Sequence, residues 1–249
     1  KWSQDIVDTK ARVTQSDYAV EAPAVSDDGY GAGWEDAVVF VPYYLYQIYG
    51  DLRPANRFYA DMVNHMNWYA ANSSGFIAPN TRYGDWVALD GSTPGQLIST
   101  AFYARCAAMM AQMANALGKT ADAATYSQLC TNICSAFQAS YVGADGTVGS
   151  GSQGGYALAL DFDLLTPAQR TLAMYKFAAA MNAQGGNPST GLVTTHLLPS
   201  ALSGVGRTDL AYQVLGKTNY PSWGFEVGLG ATTIFELWNG VNADGTVNI

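Results

Sequence analysis

The 249 residues are 49% hydrophobic and only 13% charged, with 12 Lys+Arg against 20 Asp+Glu for a net charge of −8. A chain of this length fits one large domain, 1–249, able to bury nearly three quarters of its unfolded surface, and its apolar content excludes intrinsic disorder. No basic run occurs and no stretch nears 18 uninterrupted apolar residues, so neither nucleic acid nor a membrane is an expected partner.

Alanine-rich segments with apolar residues three and four apart recur along the chain, and alternating strand patterns are scarce, so the expected class is all-α. The N-terminal residues Lys1 to Asp8 have no apolar signal core. Glu35-Asp36 head a helix over 37–49 that Gly50-Asp51 ends. A second helix follows Pro54 to about Ala71, and 84–94 is a loop of turn formers. Residues 96–117 form a long helix closed by Gly118, and Thr120 opens the next, to Tyr141. Glycine-rich 143–155 reads as a loop, and Thr166-Pro167 start a helix that stops before Gly185-Gly186. Helices over 191–202, 208–215 and 225–238 complete about eight. No fixed repeat of 34 or 40 residues is present, which favours helical hairpins around a central funnel over a solenoid.

Chemistry is narrowed by what is scarce. The only two histidines, His65 and His196, lie in different segments without an acidic neighbour at metal spacing, so neither zinc nor a Ser-His-Asp triad is expected. A phosphate-binding glycine loop is missing as well, and no cofactor is implied. Cys106, Cys130 and Cys134 read as buried thiols rather than a disulfide or metal set.

Carboxylates beside tryptophan stand out: Gly33-Trp34-Glu35-Asp36, Gly84-Asp85-Trp86, and Trp223-Gly224-Phe225-Glu226 through Phe235-Glu236-Leu237-Trp238. Indole faces suit the C–H side of a sugar ring, and carboxylates accept from its hydroxyls. Glycoside hydrolysis needs two carboxyl groups of divergent proton affinity. Residue type leaves other readings open: Asp36 as a helix N-cap, Asp85 as a turn former, Glu236 on a solvent face.

Gly33-Trp34-Glu35-Asp36-Ala37, Pro42-Tyr43, Tyr49-Gly50-Asp51, Gly84-Asp85-Trp86, Pro221-Ser222-Trp223-Gly224 and Gly230-Ala231-Thr232-Thr233-Ile234-Phe235-Glu236 together resemble the bacterial-type α-L-rhamnosidases of glycoside hydrolase family 78. The resemblance implies an (α/α)6 barrel, a six-hairpin toroid, that releases terminal α-L-rhamnose with inversion. It makes Glu236 the general base, with Phe235 where the family has Trp, and puts Trp34 and Trp86 on the rhamnose. Asp36, Asp85 and Trp223 join them as expected sugar-binding residues. Glu35 stands where the family more often has Gly and inherits no role.

The family's general-acid segment, Asp-Cys-Pro-Gln-Arg-x-Glu-Arg, has no counterpart here, nor does the Ser-x-Asn-His-Tyr motif that follows the base. The chain is therefore expected to be most of a catalytic domain cut at both ends, with Lys1-Trp2 inside a helix and the acid upstream of Lys1. Its expected partners are a rhamnose-containing glycoside or polysaccharide and the remainder of its own catalytic domain. Other (α/α)6 glycosidases, and a non-catalytic carbohydrate-binding scaffold, are the alternative readings. A low-charge surface and the sequon Asn72-Ser73-Ser74 favour an extracellular or periplasmic location.

Overall fold

The structure, a computed structural model, describes residues 30–241 and 246–248. The expected helix at Lys1-Trp2 lies outside the described residues. All regular elements among those residues are helices, joined by isolated bridges such as Val142 to Val148 rather than by strands. Two compact units are distinguished: residues 1–84 with 95–140, and residues 85–94 with 141–249.

The first unit holds α1 (Ala37–Tyr49), α2 (Arg53–Arg57), α3 (Tyr59–Asn72), α4 (Gly95–Ala116) and most of α5 (Thr120–Tyr141). Of the 22 residues of α4, 14 are buried, as a helix apolar all round must be. Its Leu97, Ile98, Met109 and Met113 form the core with Met62 and Met66 of α3 and Val38 and Val39 of α1. Gly118 stops the helix in the left-handed conformation (φ 74°), which costs glycine nothing. The helix expected after Pro54 is broken in two at Phe58.

The second unit holds α6 (Gln153–Asp161), α7 (Pro167–Ala183), a 3-10 turn (Thr195–Leu197), α8 (Leu198–Gly204), α9 (Thr208–Leu215) and α10 (Trp223–Gly228). Eight of the nine residues of α6 are buried, and it packs on α7 and α8. Thr166 caps α7 and Pro167 occupies the first turn, as the sequence predicts, and Gln169 completes a full capping box.

Three expectations are corrected here. The loop over 143–155 ends early, because Ser152 accepts from the Gly155 N–H at 3.1 Å and starts α6. The helix over 225–238 stops at Gly228; Gly230 turns left-handed (φ 84°) and 231–237 runs on without helix. In place of a single helix over 191–202, the 3-10 turn leads into α8.

Candidate functional site

Six residues were singled out by sequence, and they fall in both units. In the first unit, Trp34 lies against Tyr83, ring centroids 5.1 Å apart. Asp36 heads α1 without capping it: its carboxylate turns inward and is 0% exposed. Oδ1 accepts from His65 Nε2 at 2.9 Å, the Tyr69 hydroxyl at 2.9 Å and the Cys106 thiol at 3.4 Å. Oδ2 accepts from the Gly33 N–H at 2.8 Å, and the Tyr69 hydroxyl is also hydrogen-bonded to that of Tyr30.

Such a buried carboxylate is tolerable because several donors replace water. Desolvation, and then the Asp36 charge, push the Cys106 thiol and the Tyr30 and Tyr69 hydroxyls well above their usual values. Asp36, His65 and Cys106 bring ligand-type atoms within 4.8 Å of one another, and among the described residues they are the group that by residue type could hold a metal ion. Spacing left His65 without an acidic neighbour; the fold supplies one 29 residues away. The donors already converging on Oδ1 make this a hydrogen-bonded hub.

The other four residues belong to the second unit. Asp85 is half-buried and accepts from Gly191 N at 2.9 Å, Val193 N and Thr194 N at 3.1 Å each, and Thr194 Oγ1 at 2.6 Å. Desolvation raises its proton affinity against the pull of those donors. The 85–88 turn lies so close to Gly191 that a Cβ there would strike the carbonyl oxygens of Asp85 and Trp86, and only glycine fits. Gly154 of α6 likewise leaves room for Asp85, Thr93 and Thr194. By this seating, Asp85 fixes the turn that carries Trp86.

Trp86 is exposed, and its indole Nε1 donates to Glu236 Oε1 at 2.8 Å. Glu236 is exposed too, and its segment lines two cavities. One, of about 450 Å³, is lined by Trp86, Thr233, Glu236, Leu237 and Asn248. The other, of about 120 Å³, is lined by Trp223, Trp238, Thr195, His196, Glu226 and Glu236. Trp223 tilts against Trp238 at 6.0 Å, and Trp238 Nε1 donates to the Thr190 carbonyl at 3.0 Å.

Glu226, His196 and Trp238 were given no part in the site by sequence, although two of them stand in the tryptophan–carboxylate tail. Burial raises the proton affinity of Glu226, which is 3% exposed. Desolvation in the cavity wall lowers that of His196. The second unit thus brings together an indole donor, two carboxyl groups, an imidazole and two further indoles. That set can accept a proton from water and stack on a sugar ring.

Comparison with known proteins shows what the whole chain is similar to. Residues 1–248 match the bacterial alpha-L-rhamnosidase 6 hairpin glycosidase domain. The chain is similar to an alpha-L-rhamnosidase of Streptomyces avermitilis, 38% identical over 246 residues, 98% of this chain and 24% of that protein. An alpha-L-rhamnosidase of Alteromonas sp. is 34% identical over 87% of this chain and 25% of its own length. The crystal structure of the Streptomyces avermitilis enzyme complexed with L-rhamnose gives a TM-score of 0.92 at 36% identity, over 100% of this chain and 24% of that one. The Aspergillus terreus enzyme gives 0.87 at 26% identity, covering 99% and 30%. The chain thus spans about a quarter of the length of the curated relatives it matches. The fold class is all-α, of the (α/α)6 six-hairpin kind.

Proposed function

Because this chain belongs to the bacterial α-L-rhamnosidase six-hairpin glycosidase family, we propose that it contributes the general base and the sugar platform of a glycoside hydrolase that releases terminal α-L-rhamnose with inversion. The observation that carries the reading is the 2.8 Å hydrogen bond from Trp86 Nε1 to Glu236 Oε1 beside the larger cavity.

Glu236 acts as base. The indole N–H takes up Oε1 and fixes the carboxylate plane, leaving Oε2 to draw a proton from water as that water attacks the anomeric carbon. The attack comes from the face opposite the leaving oxygen, and the product is β-L-rhamnose. Inversion needs the acid and base carboxyls about 6.5–9.5 Å apart, so that a water fits beside the sugar. The acid that protonates the leaving oxygen comes from outside this chain, from the remainder of the catalytic domain.

In the second unit Trp86 and Trp223 offer indole faces to the sugar, and in the first unit, taken by itself, Trp34 is the indole proposed to bind it. Asp36 and Asp85 serve it indirectly, since their oxygens are occupied by protein donors: Asp36 steadies the start of α1 beside Trp34, and Asp85 seats the Trp86 turn. The substrate is a rhamnose-containing glycoside or polysaccharide. Such substrates suit an extracellular or periplasmic site, and among the described residues no helix is long and apolar enough to cross a membrane.

The test is hydrolysis of an aryl α-L-rhamnoside by the full polypeptide in which this chain occurs, with and without Glu236→Gln. Loss of a general base should lower kcat about 10²–10⁴-fold. Retained turnover would overturn the assignment of Glu236, and α-L-rhamnose as the first product seen by NMR would overturn inversion. A chain that binds rhamnose but never hydrolyses an aryl rhamnoside would instead be a carbohydrate-binding scaffold.

A further inference from the structure

Glu226 is left without a role by the reading above, yet it is the more deeply buried of the two carboxyl groups on the smaller cavity. It lies in the first turn of α10, whose N-terminus is fixed by Ser222 Oγ accepting from the Phe225 N–H at 3.0 Å. A side chain 3% exposed beside Trp223 and Trp238 would be placed more cheaply as an apolar residue of the same size. A carboxyl group here implies that its hydrogen bonding is used.

That bonding is directed at one segment. Glu226 Oε2 accepts from the Phe235 N–H at 3.2 Å. The backbone carbonyl of the same residue accepts from Leu229 N at 3.0 Å and Ala231 N at 3.1 Å. One residue therefore ties down both ends of the stretch from Leu229 to Phe235. Residues 231–237 run outside helix and strand, so no ladder holds them in place. The bond to Phe235 N falls on the residue immediately before Glu236, whose carboxylate is held from the other side by Trp86.

On the assignment of Glu236 as base, on which this rests, we infer that Glu226 is its positioning residue: the Glu226 carboxyl anchors the Phe235 N–H and so sets where the Glu236 side chain projects. Its neighbour Phe235 lines both cavities, so losing the anchor lets the whole 234–236 turn shift relative to the sugar. A displacement near 1 Å at a reacting group costs on the order of 10²-fold in rate.

The experiment compares Glu226→Met, Glu226→Gln and Glu236→Gln in the full polypeptide that carries this chain, measuring kcat and KM on an aryl α-L-rhamnoside. Methionine fills the volume but accepts no N–H; glutamine keeps an acceptor. The expected result is a kcat about 10–100-fold lower for Glu226→Met with KM within about threefold, and rescue to within about threefold of wild-type kcat by Glu226→Gln. A Glu226→Met enzyme with wild-type kcat, or a Glu226→Gln enzyme as impaired as Glu226→Met, overturns the inference. Should Glu226→Met not fold, Glu226→Asp, whose carboxylate is drawn back from Phe235, is read in its place. The Glu236→Gln arm keeps the two readings apart: if that variant stays active the base assignment fails, whereas if it is inactive while Glu226→Met is normal only the positioning role fails.

Discussion

Trp86 and Glu236, 150 residues apart, meet through a single 2.8 Å hydrogen bond from the indole N–H to a carboxylate oxygen. Both side chains are exposed, so water competes for the bond and its value is chiefly orientational. Replacing Trp86 by Phe keeps an apolar ring but removes the donor. Steady-state kinetics on an aryl α-L-rhamnoside should show kcat reduced about 3–30-fold, below the roughly 13–160-fold of a fully shielded hydrogen bond with a charged partner because water competes for this one. Wild-type kcat in Trp86→Phe would separate the indole N–H from catalysis.

Asp85 should prove structural in its thermodynamics. Asp85→Asn turns an amide NH2 towards donors at Gly191, Val193 and Thr194, leaving at least one of them unpaired. The expected cost is about 1–3 kcal/mol, or roughly 2–10 °C in Tm for a domain of this size. Thermal unfolding followed by circular dichroism checks it, and an unchanged Tm would mean that the turn is seated by Gly191 alone.

The cysteines differ in accessibility. Cys106 is 0% exposed, its thiol pushed up by burial and by Asp36, while Cys130 and Cys134 are half-buried on α5. Reaction depends on exposed thiolate. A native-state titration with an aromatic disulfide reagent should label Cys130 and Cys134 first and Cys106 only on unfolding. In Asp36→Ala, which strips the acceptor from His65, Tyr69 and Cys106, labelling of Cys106 should quicken as the hub loosens. Equal labelling of all three in the native wild type would rule out the buried hub.

His196 makes a prediction about pH. Desolvation lowers its proton affinity in the folded protein, whereas an unfolded imidazole titrates near ~6.5. The unfolded chain therefore takes the proton first as pH falls, so this contribution to stability is fully present above about 6.5 and is lost below it. Urea unfolding between about pH 7 and 5 should show a decline that His196→Gln flattens. A slope untouched by the substitution would assign the decline to other groups.

Local signals were legible in the sequence where the chain itself supplies the partner. Thr166 and Pro167 start α7 as expected, with Gln169 completing the cap, and Gly118 ends α4 as expected. The glycines at 154 and 155 misled, because in α6 they answer a need for close packing, Gly154 under Asp85 and Thr93 and Gly155 against Ser152 and Val148, rather than for a flexible turn. Leu237 and Trp238 continue a helical spacing of apolar residues, but Gly230 and the Glu226 anchor divert the backbone before that spacing can be used. The candidate site was readable as residue types, Trp86 and Glu236 above all. The burial of Asp36 was not, since its partners His65, Tyr69 and Cys106 stand 29 to 70 residues further along.

The ten residues from Asp85 to Pro94 are grouped with a unit whose remaining chain begins only at Tyr141. During synthesis Asp85 leaves the ribosome 106 residues ahead of Gly191, its first backbone donor. At 5–20 residues per second that gap lasts on the order of 5–20 s. For that interval Asp85 lacks its backbone donors at Gly191, Val193 and Thr194, and the turn that carries Trp86 can take its native seat only after residues 191–194 have emerged.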